Sequence, residues 1–375
     1  MPALPPVLAA VTAADPYPFY AQLRQSRPFG WDPALGAFIA ADAAAVRAVL
    51  ADPRWRVRPK AEMVPAALVG SPAGEIFGHL VRMDDSPRHG DRKAAIVAAL
   101  GGLVADAGPV ARASACRLAF GGAGIDEMAF RLPVFTLGTL LALPEEELPR
   151  IANQVGALVR CWAPGCSAAE LATGTAAAGE LLARFGQLAD EPEGNLAELA
   201  SWLPGERAVV VANAIGFLTQ ACEATAGLIA GSALALMRQP ELRLVGAEDG
   251  FAALVREAAR HDPPVQNTRR FAGEGFTFLG ETVEEGQMAL VLLASASRDP
   301  AAWPRPDAFV IDRTPEGAAG WGHGAHACPG RALATTIAGA ALEALQAAGA
   351  LPAEPPPFSY RPSLNSRIPI FAGNA

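Results

Sequence analysis

The apolar positions along this chain fall into two regimes. Through the first two hundred residues alanine and leucine dominate, and the pattern reads mostly as one helix after another. PYPFYAQLRQ and DAAAVRAVLAD predict short amphipathic helices on either side of a strand, GAFIAA. Prolines and glycines between Pro59 and Phe77 predict a long loop. Helices are expected over roughly 87–101, 104–121, 132–142, 147–162 and 168–189, with EPEGN marking a break. The run RAVVVANAIGFLTQACEATAGLIAGSALALMR, Arg207 to Arg238, is apolar nearly all round and long enough for about 45–50 Å of helix. DGFAALVREAARHDPP then predicts a helix stopped by its prolines. From Val265 the regime changes. VQNTRRFA, FTFLG and MALVLLASA read as strands, and RDPAAWPRPDAF as an irregular stretch. RALATTIAGAALEALQAAG is a last helix, and RPSLNSRIPIFAG a hairpin. No internal repeat is present. The expected fold class is mainly α (α+β), a helix-rich body with a smaller β-rich part, in a single unit spanning residues 1–375.

The Arg207–Arg238 run could imitate a membrane span. Asn213, Thr219, Gln220, Glu223 and Thr225 interrupt it, and a carboxylate at mid-bilayer is expensive. A helix apolar on every side is otherwise one buried in a large protein, which is the expectation here. The chain has 375 residues, 51% of them hydrophobic, enough for a large core, and a net charge of −8 that argues against a nucleic-acid surface. Its five cysteines (Cys116, Cys161, Cys166, Cys222, Cys328) share no repeated spacing and leave one over, which suits a reducing compartment. MPALPPVLAAVTAADPYPF has no basic region before its apolar stretch, so no secretory signal is expected, and the location expected is cytoplasmic.

WGHGAHACPGRALA, residues 321–334, sets Cys328 in a glycine-punctuated loop with His323 and His326 upstream. Three readings compete. A free cysteine is most often a small buried hydrophobe. A zinc site built on His323, His326 and Cys328 needs a fourth donor, and His79, His89 and His261 bring no cysteine at ligand spacing. A haem iron held by thiolate needs only one protein ligand. On that reading Gly322, Gly324 and Gly330 let the backbone turn tightly and approach a flat macrocycle. Freed N–H groups can point at the sulfur, and a helix starting near Pro329 brings its positive end to Cys328, favouring thiolate. Trp321 can lie against the ring.

These residues resemble the cysteine loop of the cytochrome P-450 superfamily: an aromatic, Gly, any, Gly, any, His or Arg, any, Cys, any, Gly. Trp321 stands where Phe is usual. The resemblance extends from about Pro16 to Phe371 and implies the P-450 fold around a buried haem b (iron protoporphyrin IX), with Cys328 as axial thiolate and sole metal ligand. Glu257 and Arg260, three apart and so on one helix face, match the family's E-x-x-R pair, which is buried and fixes the fold around the haem. Their usual third partner, an arginine two residues after a proline, is Ala308 here, leaving Arg305 or Arg313 as candidates. By family position His326, Arg270, His89 and Lys93 face the haem propionates. Lys93 replaces the usual Arg, keeping charge while losing bidentate geometry.

The resemblance also sets the central helix across the open haem face. Its motif here reads Gln220-Ala221-Cys222-Glu223-Ala224-Thr225. The family's acid is present as Glu223, but Ala224 stands where a threonine normally holds the proton-relay water. Thr225 is one residue on, about 100° around the helix. Gln220 lies four before Ala224, on its face; Gln220, Thr219 or a polar group of the substrate is expected to organise the water, or Gln220 only to bind substrate. Cys222 is expected to pack. Family position assigns the pocket walls to Met63, Val64, Ile76, Phe77, Gly216, Thr219, Gln220, Val265, Gln266, Asn267, Leu364 and Asn365, a mix that suits a small or medium organic molecule with polar handles. No flavin, nicotinamide or iron–sulfur motif is present. Electrons are expected from a ferredoxin or flavodoxin with its NAD(P)H reductase, docking on a patch formed by Arg92, Lys93, Arg298 and Arg331. The resemblance thus implies a soluble, monomeric bacterial-type monooxygenase of specialised metabolism, dependent on O2 and binding neither nucleic acid nor membrane. Two alternatives stay open: a peroxide-using or non-monooxygenase member, and a catalytically silent haem-binding sensor.

Overall fold

The Arg207–Arg238 run forms one unbroken helix, and the remaining helices are arranged around it in a computed structural model that describes residues 4–191, 194, 196–243, 251–313 and 317–371. Helices Pro72–His79, Ile125–Leu140, Leu148–Cys161, Ala168–Ala189, Ala252–His261 and Arg331–Ala347 all pack on it. A helix without a polar face is stable only when every side is covered, and this one runs through the largest hydrophobic core. Both it and His89–Phe120 are long and apolar enough to cross a membrane, but most of the central helix is buried inside the protein.

The smaller part is a five-stranded sheet. Strands β1 (Phe29–Asp32), β2 (Ala37–Ala40), β3 (Trp55–Arg56), β4 (Thr268–Ala272) and, after a hairpin of β5 (Phe276–Phe278) and β6 (Glu281–Val283), β7 (Met288–Val291) order as β1-β2-β7-β4-β3. Only the β2–β7 pairing is parallel. A final hairpin joins β8 (Phe358–Tyr360) to β9 (Pro369–Phe371).

Three elements differ from the sequence reading. The expected helices over 87–101 and 104–121 are one helix, His89–Phe120. Gly101, Gly102 and Pro109 weaken it locally, but Ala107, Ala111 and Ala115 bury its face, and packing outweighs propensity. The long loop from Pro59 contains a helix, Pro72–His79, whose Ser71 side chain accepts from Gly74 N at 3.1 Å. Its Ser-Pro start was readable; Gly74 is obligatory there, because a Cβ would lie 2.1 Å from Leu68 O. MALVLLASA is a strand only to Val291, then a short helix, Leu293–Ala296. The EPEGN break falls largely outside the described residues.

Glu257 and Arg260 are fully buried. Arg260 donates to both Glu257 oxygens (2.9 and 2.7 Å) and to the carbonyls of Ser297, Pro306 and Ala308, so all five of its N–H groups are used. Ala308 therefore contributes only its carbonyl. The third charge is Arg313, whose Nε lies 3.5 Å from Glu257 Oε1, while Arg305 serves through its backbone, accepting from Arg313 in a left-handed conformation (φ 48°). Beside this network His261 Nδ1 accepts from Arg298 Nη2 at 2.9 Å, and its Nε2–H donates to Asp307 O. Burial, then the Arg298 charge, pushes the His261 pKa down to about 4.

Removing one partner of a buried pair leaves the other uncompensated, so Glu257→Gln is expected to lower stability by about 3–5 kcal/mol in urea unfolding. Arg313→Ala costs about 1–3 kcal/mol and Arg305→Ala close to nothing; equal losses would mean the third charge is misassigned. His261 stays neutral when folded, whereas unfolded it binds a proton below its ordinary pKa of 6.5. Stability from this site is therefore complete above pH 6.5 and declines as pH falls toward about 4. Melting temperature against pH across that window should be flatter in His261→Asn than in the parent.

Candidate functional site

The cysteine loop is closed by one hydrogen bond, Cys328 N to Trp321 O at 2.8 Å. Gly322 and Gly324 make the turn at φ 73° and 68°, where side chains are strained. Gly324 also meets the Ala43–Ala51 helix so closely that a Cβ would lie 2.6 Å from Leu50 O. Its lack of a side chain thus serves protein packing. The helix begins at Arg331, two residues later than expected, with Pro329 in the preceding turn. Gly330 N–H points at the Cys328 sulfur, and an alanine Cβ there would just touch it at 4.0 Å. Burial pushes the thiol up, while Gly330 N–H and the Lys93 charge pull it down. Cys328 is nonetheless accessible to solvent. Trp321 packs at the edge of the main core.

Basic groups converge beside the loop. The His89 and His326 rings lie 4.3 Å apart, and Lys93 Nζ donates to Ala327 O at 2.7 Å. His326 Nε2 donates to Asp85 Oδ1 at 3.2 Å. Arg270, on β4, bonds only Arg269 O and Thr268 Oγ1; burial pushes its pKa down to about 10, opposed by Asp85. His326 Nδ1 and His89 Nε2 are buried without partners. Asp85, also bonded by Val57 N, is the carboxylate answering this group. Unpaired ring nitrogens and a surplus of positive charge fit a buried group that brings carboxylates of its own.

The opposite wall is the central helix. Gln220 is its exposed residue within a stretch otherwise buried from Val209 to Thr219. Its amide donates back to Gly216 O at 2.9 Å, leaving the carbonyl oxygen toward the cavity. Gly216 is required, since a Cβ would lie 2.8 Å from Leu80. The Thr219 hydroxyl is turned onto Gly216 O at 3.3 Å, and Thr225 is buried. Ala224 is half-buried. Glu223 points away, pairing with Arg361 at 2.7 Å. Burial, then the Glu223 charge, drives the Cys222 thiol up to about 12, as befits a packing residue.

The expected pocket residues separate. Met63 is exposed, Val64 half-buried, Ile76 fully buried, and Phe77 stands edge-on to Trp162 at 5.8 Å. Gln266 is buried, its amide held by Asp262 and Pro263 O, and so turned from any cavity. Asn267 Nδ2 clips Leu364 O at 2.9 Å, and Gln266 N bonds Asn365 O, which tie the hairpin turn beside Val265. Three members of the expected basic docking patch are engaged within the protein, Arg92 by Asp84 and Glu206, Lys93 by Ala327 O and Arg298 over the Tyr17 ring at 3.4 Å, while Arg331 is half-buried at the start of its helix.

Sequence reading missed Asn213, Asp85 and Arg361. Asn213 Oδ1 accepts from Val81 N at 3.0 Å and its Nδ2 donates to His79 O, clamping the turn before His89 to the central helix. Its signal was a lone amide seven residues before Gln220, on the same face of an apolar helix.

Known proteins match this arrangement. A model of the family described as cytochrome P-450 matches residues 251–345. The biotin biosynthesis cytochrome P-450 of Bacillus subtilis (strain 168) is 29% identical over 233 residues, 59% of this chain and 58% of its own length, so the match spans little more than half of that relative. The cytochrome P-450 monooxygenase PikC of Streptomyces venezuelae is 28% identical over 376 residues, 89% of this chain and 83% of its own. The crystal structure of CalO2 superposes with a TM-score of 0.85 at 26% identity, over 98% of this chain and 97% of that one. With the fold, the cysteine loop and the buried Glu257–Arg260 pair, these matches mean that the chain belongs to the cytochrome P-450 family and is of the bacterial type.

Proposed function

We propose that the protein is a haem-thiolate monooxygenase that places one atom of dioxygen in a C–H bond of a small or medium organic molecule. The other oxygen leaves as water, with two protons and two electrons consumed. The observation that carries this reading is an accessible Cys328 in a glycine-turned loop, with a backbone N–H aimed at its sulfur. Family membership implies a cysteine-ligated haem iron. Haem b, when bound, supplies the redox-active iron, and thiolate ligation favours splitting dioxygen there. Gly330 N–H, Lys93 and the start of the Arg331–Ala347 helix would stabilise the sulfur as thiolate. His326, His89, Arg270 and Lys93 would hold the propionates, satisfying the two unpaired ring nitrogens. Electrons would come from a separate ferredoxin or flavodoxin and its NAD(P)H reductase.

Proton delivery falls to Gln220 and Glu223. The Gln220 carbonyl oxygen, fixed by the Gly216 bond, can hold a water on the Ala224 face, where both neighbouring threonine hydroxyls are unavailable. Glu223, half-exposed against Arg361, can exchange protons with solvent behind it. The same lack of a threonine hydroxyl supports a second reading, in which peroxide brings its own protons and replaces dioxygen and reductant.

Reconstitution with haemin should give a reduced carbonyl spectrum of thiolate type, converted to histidine type in Cys328→His; a colourless parent or an unchanged spectrum would sink the reading. Product formed per reductant consumed should fall in Gln220→Ala by up to about tenfold and rise in Ala224→Thr. If product appears with peroxide alone and never with a reductase system, the second reading replaces the first.

A further inference from the structure

Helix His89–Phe120 is uncovered along one side. It is as able as the central helix to cross a membrane by length and apolarity, yet 28% of its most apolar stretch is buried inside the protein, against 72% for the central helix. Residues 94–105 carry no polar side chain. Ala95, Ile96 and Leu100 face the core. Ala94, Val97, Ala98, Gly101, Val104 and Ala105 are exposed, the two valines by 48% and 41%. At about 100° per residue these six fall within an arc of about 120°, forming one continuous strip. On an ordinary surface helix such a strip would be polar.

The centre of the strip is built for close approach. Glycine is the poorest interior helix former after proline, and it is kept where another backbone must come near. Among the described residues nothing comes near Gly101: a Cβ there would meet no atom within 4 Å, and one at Gly102 only Glu198 Oε2, at an ordinary 3.5 Å. The two ends carry opposite charges. Asp91 lies ten residues before Gly101 and Arg112 ten after Gly102, each about 16 Å from the midpoint. Both are exposed, and among the described residues neither has an ion-pair partner. Asp106, the nearer acid, lies off the strip, in a cleft on the helix flank that Glu198 also lines.

We propose that a second copy of this chain docks on the strip, the two helices antiparallel and crossing at Gly101–Gly102, so that each copy's Asp91 meets the other's Arg112. The protein is then a homodimer, not the monomer that the family resemblance implies. A two-fold axis brings a surface against itself, and opposite charges spaced equally about a centre are what such an axis pairs. The glycines let the backbones close, and a shallow crossing of about 20° keeps the helix ends within an arginine's reach. A membrane fits less well, because the strip contains no aromatic residue and a net charge of −8 opposes an anionic surface. The assembly is independent of the reaction proposed at the cysteine.

Sedimentation equilibrium of the full chain from about 1 to 100 µM should reach twice the chain mass at the upper end and fall back on dilution. Gly101→Gln should raise the dissociation constant at least about tenfold; since glutamine is the better helix former and meets nothing within one chain, the dilute protein should melt no lower than the parent. Asp91→Arg and Arg112→Asp should each weaken the dimer about 3–10-fold, and the two together should recover to within about threefold of the parent. A monomer across the whole range overturns the proposal. So does a dimer untouched by Gly101→Gln, or a double exchange as weak as either single one. A monomeric parent that co-sediments with vesicles of phosphatidylcholine and phosphatidylglycerol, and loses this in Gly101→Gln, would overturn it in favour of a membrane.

Discussion

The site depends on one short turn held at both ends. Residues 79–85 are clamped to the central helix by Asn213 and to the cysteine loop by the Asp85–His326 bond. Those two elements are more than a hundred residues apart in sequence, and this turn bridges the gap between them. Every group with a chemical task is placed relative to it: Gln220 seven residues along the helix from Asn213, Cys328 two residues beyond His326, His89 and Lys93 on the helix that starts immediately after it. Asn213 is buried and satisfied on both ends of its amide, so the clamp has one geometry rather than several.

The cavity is built at the expense of stability. Lys93 and Arg270 have their pKa lowered by burial, His89 likewise, and the ring nitrogens His89 Nε2 and His326 Nδ1 lack partners. A chain folding only for stability would fill such a space with apolar side chains, since a buried charge without a partner loses its hydration for nothing. The Glu257–Arg260 network shows the contrast. There all five N–H groups of the fully buried Arg260 have acceptors within the protein.

This difference also explains what could be read from the sequence. The central helix, the Ala168–Ala189 helix and the cysteine loop were legible because each is specified by neighbours in the chain: uniform apolarity, a Ser167–Glu170 capping box, glycines at positive φ. Glu257 and Arg260 were legible for the same reason, three apart on one helix. Arg313 was only one of two candidates, since the choice over Arg305 is made by backbone direction in an irregular stretch. The joined helix His89–Phe120 was misread because its two glycines and proline are local signals, overruled by burial of a distant partner face. Asp85 and Arg361 carry no local signature. Asp85 acquires its meaning from a partner 241 residues away, and Arg361 from Glu223 in the central helix.

The altered central helix then changes how water would be held beside the substrate. Ala224 removes a hydroxyl from the face where protons must arrive, and Thr219 and Thr225 do not restore it. The Gln220 amide, fixed by its bond to Gly216 O, and the Ala224 methyl lie on one face of that helix. A small floor beside a fixed amide leaves room for one ordered water, which needs only a few polar partners to be held. Had the chain kept threonine at 224, that water would have had its anchor from the helix. With alanine there, the water's position depends on Gln220 and on the bound substrate, so the substrate itself would help set how well protons reach the oxygen.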